Sequence, residues 1–100
     1  MKYLVRWEIV STMKEAMERN QVFKADKEKN PDKYPKVLFH SCIIPVAGPA
    51  IKGFEIVEST EEQMLNDVVF WMEYSSLEFI PLLESPKIAP MLQARFGLGR

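Results

Sequence analysis

The stretch Lys52–Phe79 constrains this chain most, because it carries a strand into a helix with almost nothing between them. Gly53-Phe54-Glu55-Ile56-Val57-Glu58 has the period-2 alternation of a strand, with Phe54 and Ile56 assigned to a helix-covered side and Glu55 and Val57 to the other. Ser59 with Glu62, or Thr60 with Gln63, then forms a capping box, and the pattern predicts a helix running to near Phe79. Projection at about 100° per residue places Met64, Leu65, Val68, Val69, Trp71 and Met72 on a face turned to the sheet. The reverse face carries Asn66, Asp67 and Glu73, but also Phe70, Tyr74 and Leu77 at i, i+4, i+7. That second apolar stripe calls for a partner surface.

The segments before it supply the other strands. Lys2–Val10 alternates, with Tyr3, Val5, Trp7 and Ile9 bound for the helices and Leu4, Arg6, Glu8 and Val10 on the opposite side. Thr12 and Glu15 cap a first helix, whose inner row is Met13, Ala16, Met17, Asn20 and Phe23. Lys24–Pro35 has two prolines, no apolar period and charges of both signs. It offers lysines that can rim an anion, but reads first as a solvated connector. Lys36–Pro45 is apolar on both faces and reads as a central strand, with Leu38, His40, Cys42 and Ile44 on one side. The Gly48-Pro49 loop joins it as a hairpin to the strand Ile51–Glu58. Ile80–Ser85 is a fourth strand, confined by Pro81 to an edge or a strand start.

A chain of 100 residues, 47% of them hydrophobic, has material for one core, so residues 1–86 form one domain. The tail 87–100 is apolar without a place in so small a core, and Met91, Leu92 and Phe96 are expected to dock on a neighbouring subunit. A formal charge of −1 gives no field for nucleic acid or an anionic membrane, and neither is expected as a partner. A single cysteine excludes an internal disulfide, and charges interrupt the N-terminal apolar run. The expectation is a soluble cytoplasmic protein without a targeting segment or membrane span.

The order β-α-β-β-α-β predicts an α+β, ferredoxin-like fold, a four-stranded antiparallel sheet with two helices on one face. The bare face would then carry Leu4, Arg6, Glu8, Val10, Leu38, His40, Cys42, Ile44, Glu55 and Val57, too apolar for water and too charged for a plain core. A homodimer that closes two such faces over a cavity satisfies both requirements, and the outer stripe and tail allow a higher homo-oligomer.

The opening Tyr3-Leu4-Val5-Arg6-Trp7, the pair Phe39-His40, the Gly53–Glu58 strand, Trp71, and Leu77-Glu78-Phe79-Ile80-Pro81-Leu82-Leu83 together resemble the small dimeric α+β barrel proteins. In particular they are similar to a short family of unknown function in that superfamily, which shares the opening, the strand-two histidine and the closing proline strand. The resemblance covers most of residues 1–85. It implies a dimeric α+β barrel, among relatives that include antibiotic-biosynthesis-type monooxygenases, haem-degrading enzymes and stress-induced dimers. The charged connector at 24–36 and the tail after Pro86 depart from that compact pattern.

Candidate chemistry gathers on the bare face. His40, the only histidine, can act as a general base or simply hold a neighbouring carboxylate such as Glu8 or Glu55. Arg6, Glu8 and Glu55 can orient an acidic or carbonyl-bearing ligand, or neutralise one another. Cys42, i+2 from His40, is a nucleophile only if that histidine lowers its pKa, and otherwise is a small hydrophobe. Trp7 and Trp71 read as core between helix and sheet. No spacing supports a metal site or cofactor, and no phosphate loop or nucleophile elbow is present. Three functions fit: a homodimer whose inter-sheet cavity binds a small, partly apolar molecule; a cofactor-independent monooxygenase-like or isomerase-like enzyme with His40 as base and Arg6 holding an oxyanion; and an oligomeric assembly module using Phe70, Tyr74, Leu77 and the tail.

Overall fold

Two threonines set the helical frame. Thr12 stands in extended backbone and caps α1 (Met13–Lys29), its Oγ1 accepting the Glu15 amide at 3.2 Å and donating to the Glu15 carboxylate at 2.7 Å. Thr60 caps α2 (Glu61–Trp71) with a complete capping box: its Oγ1 accepts the Gln63 amide at 3.1 Å, and Gln63 Oε1 accepts the Thr60 amide at 3.0 Å. Four strands complete the frame in this computed structural model: β1 (Lys2–Ile9), β2 (Lys36–Ile44), β3 (Lys52–Glu58) and β4 (Ser75–Pro81). They pair antiparallel in the order β2-β3-β1-β4, the split β-α-β-β-α-β arrangement, and a third helix, α3 (Ser85–Arg95), follows. The structure describes residues 1–97; Leu98, Gly99 and Arg100, the end of the expected docking tail, lie outside the described residues.

Register decides which side chains meet the helices. Trp7 pairs with Gly53 on β3 and with Leu77 on β4, and its indole lies across the glycine. A Cβ at Gly53 would stand 2.5 Å from Trp7 Cζ2 and 2.1 Å from the Cys42 carbonyl oxygen. With Gly53 under the indole, alternation sends Glu55 and Val57 to the helix side, beside Val5, and Phe54 and Ile56 to the bare side. This reverses the assignment made from side-chain size alone. Val5, Val57 and Tyr34 are the largest fully buried side chains among the described residues.

The two helices meet through an aromatic cluster. The Phe23 ring lies 4.8 Å from Tyr34, 5.2 Å from Phe70 and 5.2 Å from Trp71. Arg19 lies over Phe70 at 3.8 Å and donates from Nη2 to its carbonyl at 3.0 Å. The connector is thus less solvated than its composition implies: α1 runs on to Lys29, a short 3₁₀ turn covers Pro31–Lys33, and Tyr34 drops into the core. Gln63 and Asn66 of α2 hold it by donating to the carbonyls of Asp32 (3.0 Å) and Lys33 (2.9 Å).

Three further expectations change. The helix of the organising stretch stops at Trp71, and β4 begins at Ser75, because Leu77, Phe79 and Pro81 alternate as strand partners of Trp7, Val5 and Tyr3. Phe70, Tyr74 and Leu77 therefore form no single stripe. The exposed apolar row of α2 is Leu65 and Val69, continued by Met72 just past the helix end. Nor is β2 central: it is an edge strand with two register shifts, and Val37, Leu38, Phe39, Ile43 and Ile44 stand exposed along it. Finally, the stretch read only as an apolar docking tail holds a helix of 11 residues.

Candidate functional site

Between α1 and the sheet lies a cavity of about 360 Å³. It exists because the residues α1 turns toward the sheet, Met13, Ala16, Met17 and Asn20, are small or flexible and do not fill the space above Trp7 and Ile9. Phe23, Trp71 and Leu77 close the walls, and Ser41, Ser75, Glu55 and Asp67 supply the polar groups. Trp7 is fixed in place by a hydrogen bond from Nε1 to Ser41 Oγ at 2.8 Å, and Ser75 Oγ donates to the Glu8 carbonyl at 3.0 Å.

The two carboxyls are the chemical focus. Asp67 points from α2 toward the sheet and is only 5% exposed, while Glu55 rises from β3 beneath it. Burial pushes the Asp67 carboxyl up to about 7, helped by the neighbouring charge of Glu55 and opposed by Lys27 and the Trp71 indole N–H. Burial also raises Glu55, again with Lys27 opposing. Neither carboxyl has a salt-bridge partner among the described residues. A carboxyl half protonated near neutrality in a largely apolar cavity can give or take a proton, or serve as counter-charge to a cation. Among the described residues no group of three His, Cys, Asp or Glu side chains could hold a metal ion.

On the opposite face, Arg6 sits between Phe54 and Glu78 in the register and is engaged by Glu78, with Nε donating to Oε1 at 2.7 Å. Residues 1–96 match the family described as Domain of unknown function (DUF3303). The chain belongs to that family. No curated protein and no solved structure matches it.

In this DUF3303 chain the expected site residues divide between the two faces of the sheet. Arg6, Glu8, His40 and Cys42 remain on the bare side, where Cys42 Sγ lies 3.8 Å from His40 Nδ1 and the His40 ring stacks on Phe39 at 4.8 Å. His40 is exposed on the edge strand, and Glu55 is separated from it by the thickness of the sheet. Phe70 packs among Phe23, Tyr34 and Trp71; Tyr74 lies 5.0 Å from the Arg19 guanidinium; Leu77 faces the cavity. Met91, Leu92 and Phe96 are exposed on α3 and just beyond its end.

Asp67 is the residue that sequence reasoning missed. Its signal was its place in the row Met64, Asp67, Trp71, which the projection split between two faces. The covered face of β3 follows from its register with β1, in which Gly53 stands opposite Trp7. No helix among the described residues is long and apolar enough to cross a membrane.

Proposed function

We propose that this protein binds a small, partly apolar molecule in the cavity between α1 and the sheet, and that two copies associate through the sheet face turned away from the helices. The observation that carries the first part is the cavity itself: aromatic, thioether and aliphatic walls around a pair of carboxyls that have no salt-bridge partner among the described residues. The proposed ligand lies beneath the helices rather than between two sheets. An acid or base working on such a ligand is Asp67 rather than His40, because Asp67 lines the cavity and His40 lies on the far side of the sheet. Association is supported by the bare face, where Leu4, Phe54, Ile56 and Ile80 surround the Arg6–Glu78 pair, and by the exposed apolar residues of β2 and α3. Cys42, a free thiol, suits a reducing compartment such as the cytoplasm.

Trp7 and Trp71 are the only tryptophans and both line the cavity, so intrinsic fluorescence reads its occupancy. Titration with neutral N-phenyl-1-naphthylamine is expected to quench that emission. Met17→Trp, which places a bulky ring at the exposed mouth, is expected to weaken binding by about tenfold, roughly 1.4 kcal/mol. Binding that is unchanged in Met17→Trp would place the probe elsewhere and remove the cavity from consideration.

A further inference from the structure

We propose that the cavity selects a small organic ammonium ion with an apolar flank, the Asp67 and Glu55 carboxylates serving as counter-charge and the Trp7, Phe23 and Trp71 rings as the wall around the cationic head. This rests on the cavity reading above and names the class of ligand.

Charge comes first. Burying carboxyls without partners is costly, and native proteins normally pair them. Here the ion pairs among the described residues take up Lys2, Arg6, Lys33 and Lys87 with Glu84, Glu78 and Asp26, and include neither cavity carboxyl. Among the described residues the cation whose charge reaches them is Lys27, whose ammonium lies 5.8 Å from the Phe23 ring centre. Among the described residues no lysine or arginine lines the cavity, which argues against an anionic ligand. A purely apolar ligand would leave both carboxyls as they are.

The walls then narrow the kind of cation. Phe23 and Trp71 stand 5.2 Å apart at 48°, with Trp7 held below by Ser41, so indole and phenyl surfaces border the same space as the carboxyls. Aromatic faces attract ammonium groups through the ring quadrupole, most strongly where water is excluded. A hard metal ion would instead require several oxygen ligands, and among the described residues the polar lining offers two carboxyls and no third acidic or histidine ligand. About 360 Å³ lies at the small end of ligand cavities, which suits a single-ring or short-chain amine.

The test uses the full chain and three probes of one shape: phenethylamine as cation, 2-phenylethanol as neutral isostere and phenylacetate as anion, each read by tryptophan quenching and calorimetry. Near about pH 8 the amine is expected to bind about tenfold more tightly than the alcohol, with phenylacetate weakest. Near about pH 5 the preference narrows, because the groups facing the head are Asp67 on α2, Glu55 on β3 and Lys27 on α1, and only the two acids lose charge on acidification. Asp67→Asn brings amine and alcohol to within about twofold of each other while alcohol binding persists, and Glu55→Gln falls between. Equal binding of amine and alcohol in the unmodified protein, or an amine preference that survives Asp67→Asn, overturns the ammonium proposal and leaves the cavity reading standing. If no probe changes the tryptophan emission, both fall together.

Discussion

A carboxyl whose folded-state value is about 7, against an ordinary 3.8, holds its proton more tightly in the native protein than in the unfolded chain. From about pH 4 to about pH 7 the native state therefore carries the extra proton, and stability falls as pH rises through that window; at about 1.4 kcal/mol per pH unit the upper bound of the loss is about 4 kcal/mol. Asp67→Asn is expected to stabilise the protein near about pH 8 by about 1–3 kcal/mol and to give no gain near about pH 4, as measured by urea unfolding at the two conditions. A variant whose gain is the same at both would show that Asp67 titrates normally. Gly53 is the other residue on which much depends. A methyl group there meets a carbonyl oxygen of the paired strand, which cannot step aside as a side-chain tip could. Gly53→Ala should lose about 2 kcal/mol or more, seen as a lower urea midpoint.

At the scale of elements, the two rows of α2 make opposite predictions. Phe70 is held among Phe23, Tyr34 and Trp71 and beneath Arg19, so Phe70→Ala is expected to cost about 2–4 kcal/mol through the cavity it leaves. Val69 faces outward, and Val69→Glu should change stability by no more than about 0.5 kcal/mol. The opposite ranking in chemical unfolding would restore the inward face that hydropathy alone suggests. Element order, both threonine caps and the alternation of β1 were legible in the sequence, because each is written in adjacent residues. The rotation of α2 was not, since apolar side chains occupy both its flanks and the buried Asp67 looks like an outward residue to any hydropathy projection. The edge position of β2 was hidden for a related reason: a strand apolar on both faces normally lies inside a sheet, whereas this one stands bare at its border. Of the candidate site, Glu55 was legible as a ligand contact while Trp7 and Trp71 read only as core, and the face on which Glu55 lies depends on a pairing across 46 residues of chain, from Trp7 to Gly53, that no local pattern records.

For the whole molecule, the Cα envelope of 56 × 36 × 18 Å is one sheet and one helix layer thick. The face bearing Phe54 and Ile56 has no second layer of its own among the described residues. Under the proposed association the unmodified protein is expected to sediment as a dimer and Ile56→Lys as a monomer, with the cavity intact because Ile56 points away from it. An unmodified protein that sediments as a monomer at working concentration would remove the association. The two proposed tasks thus fall to alternate residues of the same strand, and sliding β3 by a single position would turn the sheet inside out: Glu55 would go to the outer surface and Phe54 beneath the helices. Such a slip would also push a side chain into the Trp7 indole. A lone hydrogen atom where every other amino acid carries carbon is therefore what rejects the inverted pairing while the strands zip together, and keeps the acids on the inside.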